Sequence, residues 1–287
     1  PTWYWMPDIF ENFFNEYGHA VSDFYELKRL DPSYRMYFGK DDFFDVPANL
    51  DEIFKLFESI ESGSSNNLRK FLKDAEFKYN IGINEVIHKP SKSIFEFIEP
   101  KLLSGVFRLD FFRSISSYVS ENFSNFKLQK LLEFPVLFLG ATPQKTPALY
   151  SLMNYADIVL GTWHPMGGMY KVVEAMQQLA ESFGVKFHFN APVNKINVEN
   201  GKAKHVLVND KQHTSDYLIA SGDYNHIEQS LMDNEYRNYS KNYWKSREMA
   251  PSALLFYIGL NKKVKNLLHH NLFFDTDFAK HAEEIYE

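Results

Sequence analysis

The chain has 287 residues and a mass of 33.7 kDa, enough to bury one large or two modest hydrophobic cores. Its net charge of −6 and the lack of any Lys/Arg run give no reason to expect a nucleic-acid partner. Cysteine is absent, which excludes disulfides, thiolate metal sites and cysteine nucleophiles. Aromatic residues make up 17% of the chain, which fits either a Phe-rich composition or an apolar cavity walled by rings.

The first third of the chain predicts a short helix, three strands and then a series of helices. Residues 1–18 are amphipathic at helical spacing, and 24–30, 34–38 and 43–47 have the pattern of short strands. Asn49 is placed to cap the next helix. Helices are predicted over residues 50–60, 66–86, 93–103, 107–121 and 127–137.

The segment from Thr146 to Gly184 predicts a helix, a tight loop and a second helix. Thr146 is placed as an N-cap, with Pro147 at the first helical position. Gly161 allows a sharp turn, and Gly167-Gly168 opens the second helix, where small residues let a backbone or ligand come close. Gly184 ends that helix.

The rest of the chain has the pattern of strands. A β-meander is predicted over residues 186–208, with a hairpin turn at Asn200-Gly201. Residues 216–220 predict an apolar strand that ends at Ser221, Gly222 and Asp223, which is typical of either a nucleotide cleft or a plain turn. Further strands are predicted at 251–260 and 271–274.

Four ordered segments of this sequence resemble the bacterial carotenoid desaturases, the phytoene desaturase family within the flavin-dependent amine oxidase-like superfamily. The central one is ALYSLMNYADIVLGTWHPMGGMYKVVEAM. The other three are PTWYWMPDIFENFF, ELKRLDPSYRMYF and LLEFPVLFLGATP. Together they span most of the chain.

The resemblance implies an α/β fold of mixed α+β type, the central part of a two-domain FAD-dependent oxidoreductase. A mostly helical substrate domain on a mixed sheet would comprise residues 1–165 and 233–287. Residues 166–232 would form part of a Rossmann-like FAD domain with a β-meander. Both ends of the sequence look cut, which suggests a longer protein.

The implied cofactor is FAD, but no Gly-x-Gly-x-x-Gly occurs in these residues. By resemblance, that turn would precede residue 1 and a further flavin-contacting segment would follow residue 287. We therefore expect the isolated span to purify colourless and a full-length chain to take up flavin; a stoichiometric yellow complex of the span alone would contradict this. The implied cofactor-binding residues are Val193, Ser221, Gly222, Asp223, Gly167 and Gly168.

The substrate implied by the resemblance is a long apolar carotenoid, recognised mainly by burial of its surface. Candidate contacts, each of which also has a plain packing explanation, are Trp163, Met166, Phe134, Phe138, Leu139 and Tyr155. Arg113 lies in an apolar helix, where it either pairs structurally or orients a ligand. No residue is assigned a catalytic role, and the histidine spacing suggests no metal site.

The leading hypothesis is desaturation of phytoene to more unsaturated carotenes such as lycopene, by hydride transfer to flavin in an apolar channel. A later-acting carotenoid desaturase, a carotene isomerase and a non-catalytic lipid-binding fragment are the alternatives. The implied partners are quinone or oxygen as electron acceptor and a peripheral membrane surface. The expected location is therefore cytoplasmic, at the inner face of the cell membrane.

Overall fold

The computed structural model describes residues 2–90, 92–93, 109–247, 253–274, 280 and 284. The chain divides into two compact units, one comprising Pro1–Gln178 and Pro251–Glu287 and the other Leu179–Ala250. This division differs from the predicted boundaries at 165/166 and 232/233. Residues after 232 stay with the second unit because they contact the meander, as when Asp233 pairs with Lys195 at 3.0 Å.

Helices are the most frequent regular elements among the described residues of the first unit. The main ones are α1 (Pro7–Asn15), α2 (Leu50–Ile60), α3 (Ser64–Ile81), α4 (Ile115–Asn122), α5 (Phe126–Glu133) and α6 (Tyr170–Ser182), the last of which ends in the second unit. Shorter helical turns occur at Val21–Asp23, Gly82–Val86, Phe134–Leu139, Ala148–Ser151, Leu152–Asn154 and Tyr155–Leu160. Asn49 caps α2 as predicted, because its side chain accepts from the N–H groups of Asp51 and Glu52.

Two small sheets complete the first unit. Strand β1 (Leu27–Arg29) pairs antiparallel with β4 (Trp163–Pro165). Strand β2 (Tyr34–Tyr37) lies between β3 (Phe43–Val46), which is antiparallel to it, and β8 (Asn271–Phe273), which is parallel. The first pairing places Arg29 opposite Trp163.

The core of the first unit lies between these strands and helices. The buried faces of α2 and α3 repeat at helical spacing, with Phe57 and Leu68 both fully buried. Cores of this kind are close-packed. The other fully or nearly buried members include Tyr34, Met36, Ile53, Phe71, Ile115, Val119, Phe123, Leu128, Leu131, Phe134 and Ile158.

The second unit is built on an antiparallel meander of β5 (Val193–Glu199), β6 (Lys202–Val208) and β7 (Lys211–Thr214). Asn200 and Gly201 both have positive φ, 51° and 73°, which confirms the predicted hairpin turn. Helical turns at Tyr224–His226, Ile227–Leu231 and Asn234–Tyr236 and the short helix α7 (Lys241–Lys245) follow. A 380 Å³ groove lies within this unit, between β5, β6 and the turn at 227–231.

Several sequence predictions of local structure were wrong. Residues 186–190, 216–220 and 253–260 form no strand in the described part of the chain, and apolar side chains there are exposed, with Tyr217 at 90% and Tyr257 at 93%. A strand requires a neighbouring backbone with which to pair, and these segments have none among the described residues. Thr146 caps no helix, because its hydroxyl donates to the Thr142 carbonyl. The helix predicted at 93–103 lies almost wholly outside the described residues.

The mixed α/β class predicted from the sequence is confirmed. The part of the chain that the structure describes contains no helix both long and apolar enough to cross a bilayer.

Lys78 on α3 connects several segments of this core through polar contacts. Its side chain is fully buried and its ammonium lies 2.8 Å from Asp74 and 3.0 Å from Asp110. It also donates to the Ala148 carbonyl at 3.2 Å. The ammonium therefore holds α3 to the segments around residues 110 and 148.

We predict that Lys78→Met lowers the free energy of unfolding by about 2–4 kcal/mol, because it keeps the alkyl volume but removes the buried ammonium that Asp74, Asp110 and the Ala148 carbonyl share. Asp74 still accepts from the Tyr118 hydroxyl and Asp110 still pairs with Arg113, which limits the loss. Lys73→Met is the matched control, since Lys73 is exposed on the same helix and its loss should change stability by at most about 0.5 kcal/mol. Chemical denaturation measures both. Equal effects of the two substitutions would show that the polar contacts of Lys78 do not stabilise the fold.

Candidate functional site

The segment from Leu160 to Met166 bends sharply at Gly161 and then forms β4. Gly161 has φ of +88° and ψ of 176°, a conformation that is essentially restricted to glycine. A Cβ placed on Gly161 would lie 0.5 Å from the Nη1 atom of Arg29. The guanidinium thus occupies the space that a side chain would need, so the turn requires glycine for two independent reasons.

The Arg29 side chain donates a hydrogen bond to the backbone of this turn. Its Nη1 donates to the Leu160 carbonyl at 2.9 Å, and the Trp163 indole donates to the same carbonyl at 2.8 Å. The guanidinium carbon lies 5.6 Å from the centre of the Trp163 ring. Burial lowers the pKa of Arg29, while the nearby Asp157 carboxyl acts in the opposite direction.

Asp157 lies directly beneath the turn and is almost fully buried. Its carboxyl accepts from the Tyr34 hydroxyl at 2.6 Å and from the Thr162 hydroxyl at 3.2 Å. Burial raises the pKa of Asp157 to about 7, although both hydrogen bonds and the charge of Arg29 favour the ionised form and oppose this rise. The carboxyl thus changes its protonation state near neutral pH.

Thr162 connects this carboxyl to an aromatic side chain. The Trp5 indole N–H donates to the Thr162 hydroxyl at 2.8 Å. The backbone of the next residue, Trp163, donates to the Tyr4 carbonyl at 3.0 Å. We refer to Trp5, Arg29, Tyr34, Asp157 and Thr162 together as the Asp157 network; it fixes the turn before β4 to the amino-terminal segment.

Aromatic rings pack beside the Asp157 network. Trp5 lies 6.2 Å from Phe134 and 5.6 Å from Phe138, measured between ring centres. Phe134 is buried, whereas Phe138 is 60% exposed. Trp3 joins both rings to Tyr34 and stacks on His270 at 4.1 Å. This aromatic cluster of Trp3, Trp5, Tyr34, Phe134 and Phe138 therefore has one face in the core and one accessible from outside.

The structure brings three of the predicted substrate contacts to this region. Phe134 and Phe138 belong to the aromatic cluster, and Trp163 adjoins it through Thr162 and Tyr4. Two others lie nearby in sequence and on the surface: Leu139 follows Phe138 and is 43% exposed, and Met166 follows β4 and is 44% exposed.

The remaining two predicted contacts have other partners. Arg113 forms ion pairs with Asp110 at 2.9 Å and Glu121 at 2.7 Å, which supplies the structural pairing that a partly buried arginine needs. Tyr155 packs its ring 5.2 Å from Tyr79. In the described part of the chain, neither contacts a ring of the aromatic cluster.

The predicted flavin contacts are divided between the units. Gly167 and Gly168 have φ of +91° and +98° and precede α6 in the first unit. Val193 begins β5 in the second unit, where Ser221 and Gly222 are exposed. Asp223 accepts from the His226 N–H at 2.7 Å and so caps a single helical turn.

The sequence analysis missed the Asp157 network altogether. Asp157 is a charged residue inside the apolar run YADIVL, and Arg29 is another in a short strand. The same signal, an ionisable group in an apolar stretch, had singled out Arg113. An ionisable residue in an apolar stretch therefore indicates a buried polar network, but it does not indicate whether that network lies beside a functional site.

Comparison with known proteins places these observations in a family. The model of the flavin containing amine oxidoreductase family matches residues 6–256, most of the chain. The chain belongs to this family. Its family cofactor is a flavin, in agreement with the FAD expected from the sequence.

Among curated relatives, the chain is 33% identical to a carotenoid 3,4-desaturase from Haloarcula japonica, over all of this chain and 58% of that protein. It is 30% identical to a 4,4'-diapophytoene desaturase from Staphylococcus aureus, again over 58% of that protein. A zeta-carotene-forming phytoene desaturase from Myxococcus xanthus is 26% identical, with 55% of its length covered. The chain thus spans somewhat more than half the length of these relatives.

Gly168 is one of the residues that the sequence predicts to contact the flavin. A Cβ placed on Gly168 would have no heavy atom within 4 Å, so a planar ligand has room to approach the backbone there. The start of α6 beside it favours partial negative charge on such a ligand. Among the described residues, no group of three or more His, Cys, Asp or Glu is arranged to hold a metal ion.

We predict that Gly161→Ala lowers the free energy of unfolding by roughly 3 kcal/mol or more. An alanine at the φ and ψ of Gly161 costs about 1–3 kcal/mol, and the new methyl group must also displace the Arg29 guanidinium from the Leu160 carbonyl.

Gly168→Ala is the matched control, because Gly168 has a similar φ but open space around it. It should cause only the conformational loss of roughly 1–2 kcal/mol. Chemical denaturation of both variants decides: equal losses would mean that Arg29 does not stabilise this turn.

Proposed function

We propose that this chain is part of an FAD-dependent desaturase that introduces double bonds into a long carotenoid. Membership of the flavin family is the observation that carries the redox chemistry, and three relatives named as carotenoid desaturases support the substrate class. The aromatic cluster is the part of the described structure best suited to such a substrate.

A carotenoid hydrocarbon offers nothing to hydrogen-bond, so its recognition depends on buried apolar area, worth about 25 cal/mol per Å² before ordering costs. Phe138 and the partly exposed Trp3 and Trp5 provide flat apolar surface. We infer that Trp163, Met166 and Leu139 extend this surface. Because the supporting polar groups are buried and hydrogen-bonded to one another, they need no water molecules at the surface that contacts the substrate.

When bound, a flavin would supply the hydride acceptor for one saturated carbon, and the neighbouring carbon would lose a proton to solvent, so that a double bond forms between the two carbons. The role of the residues of this chain is to hold the polyene in place, to exclude water and to orient the bond that is oxidised. We infer no protein base, since charge in an extended polyene is delocalised. Gly167 and Gly168 in the first unit, and Val193, Ser221, Gly222 and Asp223 in the second, are proposed to contact the cofactor.

Sequence identity to the relatives does not separate the candidate substrates. The 3,4-desaturase is 33% identical, the 4,4'-diapophytoene desaturase 30% and the phytoene desaturase 26%. A phytoene desaturase therefore stays the leading proposal, with a later-acting carotenoid desaturase as the alternative. A carotene isomerase remains the third member of the proposal, with the same cofactor and substrate shape.

We further propose that the full-length protein works at the inner face of a membrane and passes electrons to quinone or oxygen. The solubility of the carotenoid supports the first point, since the substrate partitions into lipid. A reduced flavin must be reoxidised, which supports the second. Flotation with liposomes, and turnover with quinone under anaerobic conditions, test them separately.

The substrate assay uses the full-length protein, reconstituted with FAD in liposomes that contain either phytoene or an already desaturated carotenoid. We expect the absorption of one substrate to shift to longer wavelength as conjugated double bonds are added. Conversion of neither, with the carotenoid bound but unchanged, would overturn the proposal in favour of a lipid-binding role.

We predict that Phe138→Ala lowers kcat/KM for the carotenoid by about 10- to 100-fold, the equivalent of losing one apolar ring contact. Since Phe138 is 60% exposed, the fold should be little affected. Phe126→Ala is the control. Phe126 is 51% exposed, and its ring packs against Phe38, which lies outside the aromatic cluster. Equal effects of the two on kcat/KM would place the substrate elsewhere.

A further inference from the structure

The Asp157 network connects a titratable group to the rings of the proposed substrate site. From Asp157, one path runs through the Thr162 hydroxyl to the Trp5 indole. A second follows the backbone from Thr162 to Trp163, whose N–H is bonded to the residue before Trp5. A third runs through Tyr34, whose ring lies 5.3 Å from Phe134.

The protonation state of the carboxyl decides how many of these bonds form as observed. An ionised carboxylate accepts from both hydroxyls, Tyr34 and Thr162, and leaves Thr162 oxygen lone pairs for the Trp5 N–H. A protonated carboxyl carries an O–H that needs an acceptor of its own, and the nearest oxygens are the Tyr34 and Thr162 hydroxyls. When the Thr162 bond reverses, the Thr162 oxygen accepts from both Asp157 and the Trp5 N–H, which changes the hydrogen bond to Trp5.

We propose that Asp157 is a positioning residue whose proton controls the placement of Trp5 and Trp163, and that substrate binding is tighter when the carboxyl is ionised. The part of this proposal that concerns substrate binding rests on the proposed function. The placement of the two rings is a property of the fold and is measurable without turnover.

The groups that face Asp157 come from three elements. Arg29 on β1 and Tyr34 on β2 are the ionisable ones, and Thr162 precedes β4; Asp31 acts on Arg29 in turn. Burial raises the pKa of Asp157 to about 7, whereas burial lowers the pKa of Arg29 and raises that of Tyr34 well above its ordinary value. Asp157 is therefore the member of this network expected to titrate between pH 5 and 9.

Two histidines near the rings need to be separated from this effect. His270 stacks on Trp3, but burial lowers its pKa to about 4, so it stays neutral over the range. His164 follows Trp163 directly in the chain, so His164→Gln is included as the control substitution.

The test is 19F NMR of the full-length flavoprotein labelled with 5-fluorotryptophan, recorded from pH 5 to 9. We expect the Trp5 and Trp163 signals to move with one common midpoint near pH 7. Trp244 belongs to the second unit and should not share that midpoint. Asp157→Asn should abolish the common transition and His164→Gln should preserve it.

Tyr34→Phe is the decisive second variant, and it remains informative if Asp157→Asn fails to fold. Removing the Tyr34 hydroxyl takes a hydrogen bond from the ionised carboxylate, so the midpoint should rise. A purely structural role for Asp157 would not move a midpoint. An unchanged midpoint in Tyr34→Phe, a transition that survives Asp157→Asn, or no shared transition at all would overturn the proposal.

The enzymatic measurement is kept separate. The KM for the carotenoid should rise by about 2- to 10-fold below the midpoint, the equivalent of one altered hydrogen bond, and should not do so in Asp157→Asn. A KM independent of pH, with the NMR transition present, would overturn only the link to substrate binding. The NMR result with no activity on any carotenoid would instead refute the proposed function.

Discussion

The candidate site depends on the burial of one carboxyl group, that of Asp157. A buried carboxyl is costly unless its lone pairs are used, and Asp157 uses them on Tyr34 and Thr162. Those two bonds join β2, the turn before β4 and, through Trp5, the amino-terminal segment. Segments more than 100 residues apart in sequence are thereby held in one arrangement.

The arrangement suits a protein that must handle a hydrocarbon. Apolar packing alone tolerates sliding and exchange of rings, because many arrangements of similar volume are close in energy. Directional bonds to Trp5 and Trp163 remove that freedom at the edge of the aromatic cluster. Arg29 over Gly161 adds a steric limit to the same turn. The account thus assigns recognition to apolar surface and geometry to the polar groups beneath it.

The sequence predicted those parts of the fold that local chemistry decides. The cap at Asn49, the helix from Leu50 and the turn at Asn200-Gly201 each depend on a few adjacent residues, and each is confirmed. The strands at 216–220 and 253–260 depend on a partner backbone, which the pattern of one segment cannot supply. Their exposed side chains show that an apolar run alone does not make a strand.

The candidate site was predicted in part for the same reason. The family motif directed attention to Trp163 and to Phe134 and Phe138. The structure places Phe134 and Phe138 beside Trp5, and Trp163 pairs with the neighbouring Tyr4. Asp157 and Arg29 were missed because their roles arise from contacts with residues far away in sequence. Arg113, the one charged residue that did stand out, was predicted within a helix but precedes α4, which begins at Ile115, and it pairs with Asp110 and Glu121 close by in sequence.

The most direct test of the central claim, that the Asp157 network supports the surface on which a carotenoid binds, is a crystal structure of the full-length flavoprotein with its carotenoid bound. The account predicts the polyene in van der Waals contact with Phe138 and Trp5, with the Tyr34 and Thr162 bonds to Asp157 intact. A polyene bound away from the aromatic cluster, or a network rearranged without effect on the bound substrate, would contradict it.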